Sequence, residues 1–196
     1  MPFFFDKNKV SAKMVIMIGD FIMRKLLIVV DFQNDFVDGT LGFEKAKELD
    51  SIIYNKIVKY KNNNHDVIYT FDTHYEEYFD TLEGQKLPVK HCILGTKGHD
   101  LYGTVSSLYN KEEDITFLKE TFPSLDLANY LKEHPYDEVE LCGLVSNICV
   151  LTNVVMVKAA LPNCKIIVDR NATASFDEKL NNETFDILKG IHVEVI

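Results

Sequence analysis

The chain is short of positive charge: 21 lysines and arginines stand against 30 aspartates and glutamates, a formal net charge of −9 over 196 residues. That balance offers no electrostatic footprint for a polyanion, so no nucleic-acid partner is expected. Cysteine is scarce as well. The four present (Cys92, Cys142, Cys149, Cys164) form no Cys-x-x-Cys pair and lack the density of a disulfide scaffold. Such usage suits a reducing compartment, and a cytoplasmic location is the expectation. No apolar run is long enough to span a bilayer, so no membrane partner is expected either. Internal repeats, low-complexity tracts and linkers are missing too. What is there is an ordinary globular composition, 46% hydrophobic and 26% charged, sufficient for one sizeable domain with its own core.

Residues 1–22 contain Phe3-Phe4-Phe5, Met14, Met17 and Asp20 with no pattern of their own, and no signal-peptide core or cleavage site. They read as a non-native or disordered N-terminal extension. The domain is expected over 23–196, because Met23-Arg24-Lys25-Leu26 fits the approach to a first strand. Mass spectrometry of protein from the native locus would reject that reading if the N-terminus were Met1.

Short apolar runs mark strands at residues 26–30, 67–71, 115–118, 139–142, 166–168 and 193–195. Helical patterns lie between them at 44–61 (Leu49, Ile52, Ile53, Ile57), at 124–133, from near Ser146 to Ala160, and at 177–189. Strands alternating with helices predict an α/β fold in three layers, αβα, with a mostly parallel six-stranded sheet and helices on both faces. Ligands in such folds bind beyond the carboxyl ends of the strands. The long connection 73–114, rich in Gly, His and charge, is therefore functional or disordered.

Reactive side chains gather at that edge. Asp31 follows the first strand, Lys119 the third, and Cys149 lies one turn into the helix after the fourth. A cysteine near a helix N-terminus meets unpaired N–H groups and partial positive charge, which predicts a lowered pKa and a nucleophilic thiolate. A carboxylate within reach can act as its base. An ammonium nearby favours the thiolate, and backbone N–H groups at the helix start can hold an oxyanion. Taken singly these residues have plain alternatives: a packed thiol, a turn cap, a solvated lysine. Their joint placement favours chemistry. A second group lies in the long connection, where Asp72-Thr73-His74 places Asp72 and His74 on one face of an extended segment, with Glu83 and His91 further on. Two imidazoles with one or two carboxylates suit Zn, Mn or Fe, although Asp-x-His in a loop is commonly only solvated. Gly95-Thr96-Lys97-Gly98 is too short for a phosphate-binding loop.

Five motifs occur in order: Asp31-Phe32-Gln33-Asn34-Asp35-Phe36, Asp72-Thr73-His74, Pro88-Val89-Lys90-His91-Cys92 with Gly95-Thr96, Lys119-Glu120-Thr121-Phe122, and Gly143-Leu144-Val145-Ser146-Asn147-Ile148-Cys149-Val150. Together they resemble the isochorismatase-like cysteine hydrolases, and within them the nicotinamidase and pyrazinamidase branch, over Arg24 to Ile196. The resemblance implies a Rossmann-like fold and a catalytic triad of Asp31, Lys119 and Cys149. It implies one divalent metal ion, zinc first and Mn or Fe otherwise, on Asp72, His74 and His91, with Glu83 as an extra acidic ligand. It also implies a cis peptide at Leu144–Val145, aiming the Val145 N–H with that of Cys149 at an oxyanion. Phe36 and Phe122 align with aromatic pocket positions, where core packing is their plain alternative.

The implied activity is hydrolysis of a small carboxamide to carboxylic acid and ammonia through a thioester. Nicotinamide to nicotinate, a step of NAD salvage, is the first candidate. Many nicotinamidases carry an aromatic residue shortly before the last metal histidine. This chain has Leu87-Pro88-Val89-Lys90 there, so that wall is absent or supplied by Tyr75, Tyr78 or Phe79. A nucleophilic cysteine argues against isochorismate vinyl-ether hydrolysis. The alternatives are a relative acting on another small amide or carbamoyl compound, a non-catalytic binding partner, and a structural or storage zinc site. The complete triad argues against the second, and mixed Asp/His/Glu ligation against the third. The partner expected is a small-molecule amide substrate; a homo-oligomer is compatible with the sequence.

Overall fold

The computed structural model describes residues 23–196, and the extension expected at 1–22 lies outside the described residues. The apolar runs form β1 (Lys25–Val30), β2 (Asp66–Asp72), β3 (Ile115–Lys119), β4 (Glu138–Leu144), β5 (Lys165–Ala174) and β6 (Glu194–Val195). They lie in the order β3-β2-β1-β4-β5-β6, and every neighbouring pair is parallel, so the sheet is parallel throughout rather than mostly so. The helices are α1 (Asn34–Val37), α2 (Glu44–Lys47), α3 (Leu49–Asn62), α4 (Leu82–Lys86), α5 (Leu125–Glu133), α6 (Leu151–Ala160) and α7 (Glu178–Gly190).

Alternation along β1 divides the core into two layers. Leu27 and Val29 pack with Ile53, Ile57 and Tyr60 of α3, whereas Leu26, Ile28 and Val30 pack with Leu127 and Leu131 of α5, Val154 and Val157 of α6, and Phe185 and Leu188 of α7. Each fully buried side chain of this size contributes about 1.5–3 kcal/mol. Ser124 caps α5 by accepting the Leu127 N–H at 3.1 Å, and Asp177 caps α7 by accepting that of Leu180 at 3.0 Å.

Outside the turn at Ser146–Val150, the structure departs from the sequence pattern in two places, and it resolves the choice left open for the long connection. The helix expected at 44–61 is divided at Glu48, which keeps helical dihedrals. β5 continues to Ala174, because its pairing with β4 slips between Leu141↔Val168 and Gly143↔Thr173, a bulge that absorbs the polar run Asp169-Arg170-Asn171. The connection 73–114 is ordered, with α4 and 3-10 turns at Tyr78–Asp80, Lys97–His99 and Val105–Leu108.

Strand order reverses between β1 and β4, so their carboxyl ends flank the crevice where open α/β sheets bind ligands. Gly143 permits the close approach there. Its φ is +109°, and a Cβ on it would lie 2.0 Å from the Val30 carbonyl oxygen. Among the described residues no helix is long and apolar enough to cross a membrane.

Candidate active site

β1 ends at Val30, and Asp31 follows it with a φ of +46°. Its N–H donates to the Thr70 carbonyl at 3.1 Å, and its Oδ1 accepts from Thr70 Oγ1 at 2.7 Å. The parallel register of β2 and β3 sets Asp72 directly beside Lys119. Lys119 Nζ consequently lies 3.2 Å from Asp72 Oδ1, and it also reaches Asp31 Oδ2 at 2.6 Å and Cys149 Sγ at 3.7 Å. All four residues are buried. Three strand ends thus deliver Asp31, Lys119 and Cys149 to one point.

β4 leads through a cis Leu144–Val145 peptide into a π-helical turn, Ser146–Val150, and then α6. An α-helix was expected from Ser146. Instead the Val145 carbonyl accepts both the Ile148 N–H at 3.0 Å and the Val150 N–H at 3.1 Å, the wider turn that often accompanies functional sites. Asn153 braces it: Nδ2 donates to the Cys149 carbonyl at 2.8 Å and the Phe122 carbonyl at 3.1 Å, and Oδ1 accepts the Ser124 N–H at 3.0 Å. One side chain therefore joins the Cys149 turn to the segment after Lys119.

The lowered thiol pKa expected for Cys149 does not hold. Burial pushes the thiol well above its ordinary value, and the Lys119 ammonium offsets only part of that, with Asp31 and Asp72 adding to the rise. Burial raises Asp31 too, against the pull of Lys119. For Asp72 burial works in the same direction, yet Lys119 and then the two histidines outweigh it and hold the carboxyl far below the usual range. Lys119 stays protonated, because the Asp31 and Asp72 carboxylates overcome the cost of its burial. Asp31 Oδ2 faces the Lys119 ammonium at 2.6 Å, and a carboxylate oxygen so engaged keeps a second lone pair able to take a proton. Two carboxyls pushed apart around one ammonium are chemically able to divide proton transfer from the holding of a fixed charge.

The fixed charge belongs to a second cluster. The His74 N–H donates to the Cys92 carbonyl at 3.0 Å, and the Leu94 N–H donates back to the His74 carbonyl at 2.9 Å, so the segment after His91 lies against His74. His74 Nε2 is 3.1 Å from Asp72 Oδ2 and 3.6 Å from Glu83 Oε1; His91 Nε2 is 3.3 Å and 3.7 Å from the same atoms. One ligand atom from each of the four residues lies within 4.8 Å of the others. His91 Nδ1 pairs with the Val89 carbonyl at 2.8 Å, which turns Nε2 to the cluster. His74 Nε2 is buried and, among the described residues, has no well-aligned hydrogen bond, only the Asp72 and Glu83 carboxylates beside it. An orphaned imidazole nitrogen, a second imidazole and two carboxylates fit a divalent cation of the zinc type. In the metal-free protein burial disfavours the His74 imidazolium, but the adjacent Asp72 and Glu83 carboxylates prevail and raise its pKa to about 9.

Both clusters open on one cavity of about 400 Å³. Asp72, Glu83, His91 and Cys149 line it, and Val145, Phe36, Phe122, Leu41, Leu87, Ile148 and Phe176 supply apolar walls. Tyr75, Tyr78 and Phe79 are not among the lining residues. Tyr75 and Phe79 are exposed, and Tyr78 is buried against the rings of His74 and His91, 4.7 and 5.2 Å between centroids. Leu87 forms the wall instead. Sequence reasoning passed over Leu41, Ile148 and Phe176. Phe176 lies just beyond the carboxyl end of β5, so the strand-end rule could have found it; Leu41, between α1 and α2, gave no signal.

Residues 25–196 match the isochorismatase domain family. The chain is 34% identical over 167 residues to the isochorismatase family protein PncA of Bacillus subtilis (strain 168), which covers 80% of this chain and 90% of that one. It is similar to the crystal structure of nicotinamidase PncA from Bacillus subtilis, with TM-score 0.79 and 29% identity over 88% of this chain and 99% of the other. It shares its fold with a pyrazinamidase of Pyrococcus horikoshii in complex with zinc, with TM-score 0.76 and 21% identity over 88% and 98% of the two chains.

Proposed function

This chain belongs to the isochorismatase family, and we propose that it is a metal-assisted cysteine amidase that converts a small carboxamide, nicotinamide in the first instance, to its carboxylic acid and ammonia through a thioester. The observation that carries this reading is the position of Lys119 Nζ, 2.6 Å from one carboxylate, 3.2 Å from a second and 3.7 Å from a thiol.

Asp31 takes the Cys149 proton as the sulfur attacks the carboxamide carbon. Burial keeps the resting thiol protonated, so proton transfer and C–S bond formation belong to one step. Lys119 orients Asp31 and offsets the negative charge as it passes between sulfur and carboxylate. The N–H groups of Val145 and Cys149 receive the oxyanion, and loss of one such donor costs ~2.7–4 kcal/mol of barrier. The C–N bond then breaks, and Asp31 returns its proton to the leaving nitrogen as ammonia departs. Asp31 next takes a proton from water, the hydroxyl adds to the thioester carbon, the C–S bond breaks, and the sulfur recovers its proton as the acid leaves. Asp72, His74, Glu83 and His91 would hold one divalent cation, with zinc favoured by the donor set and by its presence in the Pyrococcus horikoshii pyrazinamidase. Bound there, it supplies a Lewis-acid contact that orients a pyridine nitrogen. Phe36 and Phe122 flank the ring and exclude water. A cytoplasmic role in NAD salvage matches this chemistry.

Leu87 in the pocket wall supports a second reading, an amide other than a pyridine carboxamide. The two are separated by ammonia release from a panel of small amides that includes nicotinamide and pyrazinamide, with wild type and Cys149→Ala, before and after chelation. Nicotinamide turnover that vanishes in Cys149→Ala and falls on chelation is the expected result. Chelator-insensitive turnover of a different amide favours the second reading, and no turnover of any amide overturns both.

A further inference from the structure

The base and the metal-ligand candidates stand on different elements, and one carboxylate outside both sets joins them. Asp35 lies in α1, four residues along the chain from Asp31. Its Oδ2 accepts the Cys92 N–H at 2.7 Å, across 57 residues of sequence, and Cys92 directly follows His91. Cys92 holds a left-handed φ of +46°. A left-handed cysteine is disfavoured and persists where its surroundings over-determine it. Here they do: Asp35 grips the Cys92 N–H, and the His74 N–H donates to the Cys92 carbonyl at 3.0 Å. Cys92 is thus the backbone joint between the two histidines. The Asp35 carboxylate is itself confined. A Cβ at Gly98 would lie 2.0 Å from Oδ2, and one at Gly39 2.4 Å from Oδ1, so two glycines make its slot. The next residue, Phe36, sets its ring against the His91 imidazole, 5.6 Å between centroids.

We infer that Asp35 is a positioning residue: its carboxylate fixes the Cys92 backbone and thereby sets the His91 and His74 imidazoles for the metal. The inference rests on the metal-assisted reading above. A hydrogen bond from a backbone N–H to an ionised acceptor is about twice as strong as a neutral one. Residues that orient ligands in this way typically change metal affinity by about 10–100-fold when removed.

The test is zinc affinity of the full-length protein, by competition with a chromophoric chelator and without substrate, for wild type, Asp35→Ala and Asp35→Asn. Circular dichroism and a thermal melt identify the folded variants. The expectation is a zinc affinity about 10–100-fold weaker in Asp35→Ala. Asp35→Asn keeps an acceptor oxygen in the same slot and should recover most of that loss. Should Asp35→Ala not fold, Gly98→Ala carries the same expectation, because the new methyl displaces the carboxylate. A folded Asp35→Ala or Gly98→Ala that binds zinc as wild type does overturns the inference alone. An Asp35→Asn as weak as Asp35→Ala overturns it too, since an acceptor oxygen kept in the same slot would then not be what sets the ligands. A wild type that binds no zinc overturns the metal half of the proposed function and this inference with it.

Discussion

Asp31 and Asp72 are both buried and both touch the Lys119 ammonium, yet their carboxyl groups move in opposite directions. The difference lies in the remaining neighbours. Asp31 follows β1 with a threonine hydroxyl on one oxygen and a buried thiol nearby, so among the described residues Lys119 alone offers it a cation and desolvation prevails. Asp72 closes β2 at the entrance to the long connection, where His74 and His91 reinforce the ammonium and its charge is permanent. A shared lysine therefore does not make two aspartates equivalent: one can carry a proton, the other can hold a cation. The strand-end region is suited to bond making, and the loop region to holding and aiming a ligand.

The largest effect that would sharpen this division is Cys149→Ala. Removing the proposed nucleophile should reduce amide turnover by about 10⁴–10⁶-fold, with zinc affinity unchanged by chelator competition. A variant that loses both would join the two regions into one. Lys119→Met strikes the shared element and leaves two buried carboxylates without their ammonium. Breaking a buried ion pair from one side costs about 3–5 kcal/mol, so urea unfolding of the metal-free variant should show a loss of that order, partly restored by zinc.

A smaller effect comes from pH. In the metal-free protein His74 is an imidazolium up to a pKa of about 9, above its ordinary 6.5, and must lose that proton to become a ligand. Zinc affinity should therefore rise with pH through that window, by up to about tenfold per unit, and flatten above it. The linked stability has the opposite sign. A raised histidine pKa stabilises the metal-free fold fully below 6.5, and that stabilisation is lost as pH rises through about 9, so the metal-free melting temperature should fall across the same window. Equal zinc affinity at pH 6.5 and 8.5 would break the contrast between the regions. The mildest change is Phe176→Ala at the half-open mouth of the cavity. It should raise KM by at most about tenfold and leave kcat nearly unchanged, as removal of an apolar ground-state contact does.

The two regions also differed in how far they could be read in advance. Continuous apolar runs identify the strands because a parallel sheet buried on both faces admits little else. Their parallel direction then follows from βαβ logic, though the strand order does not, and the strand-end rule points to Asp31, Lys119 and Cys149 without any knowledge of contacts. The direction of the Cys149 pKa was not legible. A helix start can be seen in sequence, but desolvation is a property of the packed state, and here it outweighs the helix start. The π-turn at Ser146–Val150 was hidden for a similar reason, since its hydrogen bonds meet at the Val145 carbonyl only once β4 is in place. In the loop region Asp72-Thr73-His74 was visible, but the approach of Glu83 and His91 depends on how the intervening turns fold. Asp35 and Gln33 were quoted only as parts of a motif. Asp35 acts on Cys92, and Gln33 donates to the Asp72 carbonyl at 2.9 Å and accepts the Asp72 N–H at 2.8 Å, pairings that no local pattern encodes.

The central claim is that Cys149 sulfur becomes covalently acylated while Asp31 carries the proton. Rapid acid quench of wild type during nicotinamide turnover, followed by peptide mass spectrometry, addresses it directly. The account predicts one nicotinoyl group on the Cys149 peptide and none on those of Cys92, Cys142 or Cys164, with an equivalent of ammonia released for each acyl group trapped. Steady turnover with no acyl group on Cys149, or with one on another cysteine, would contradict it.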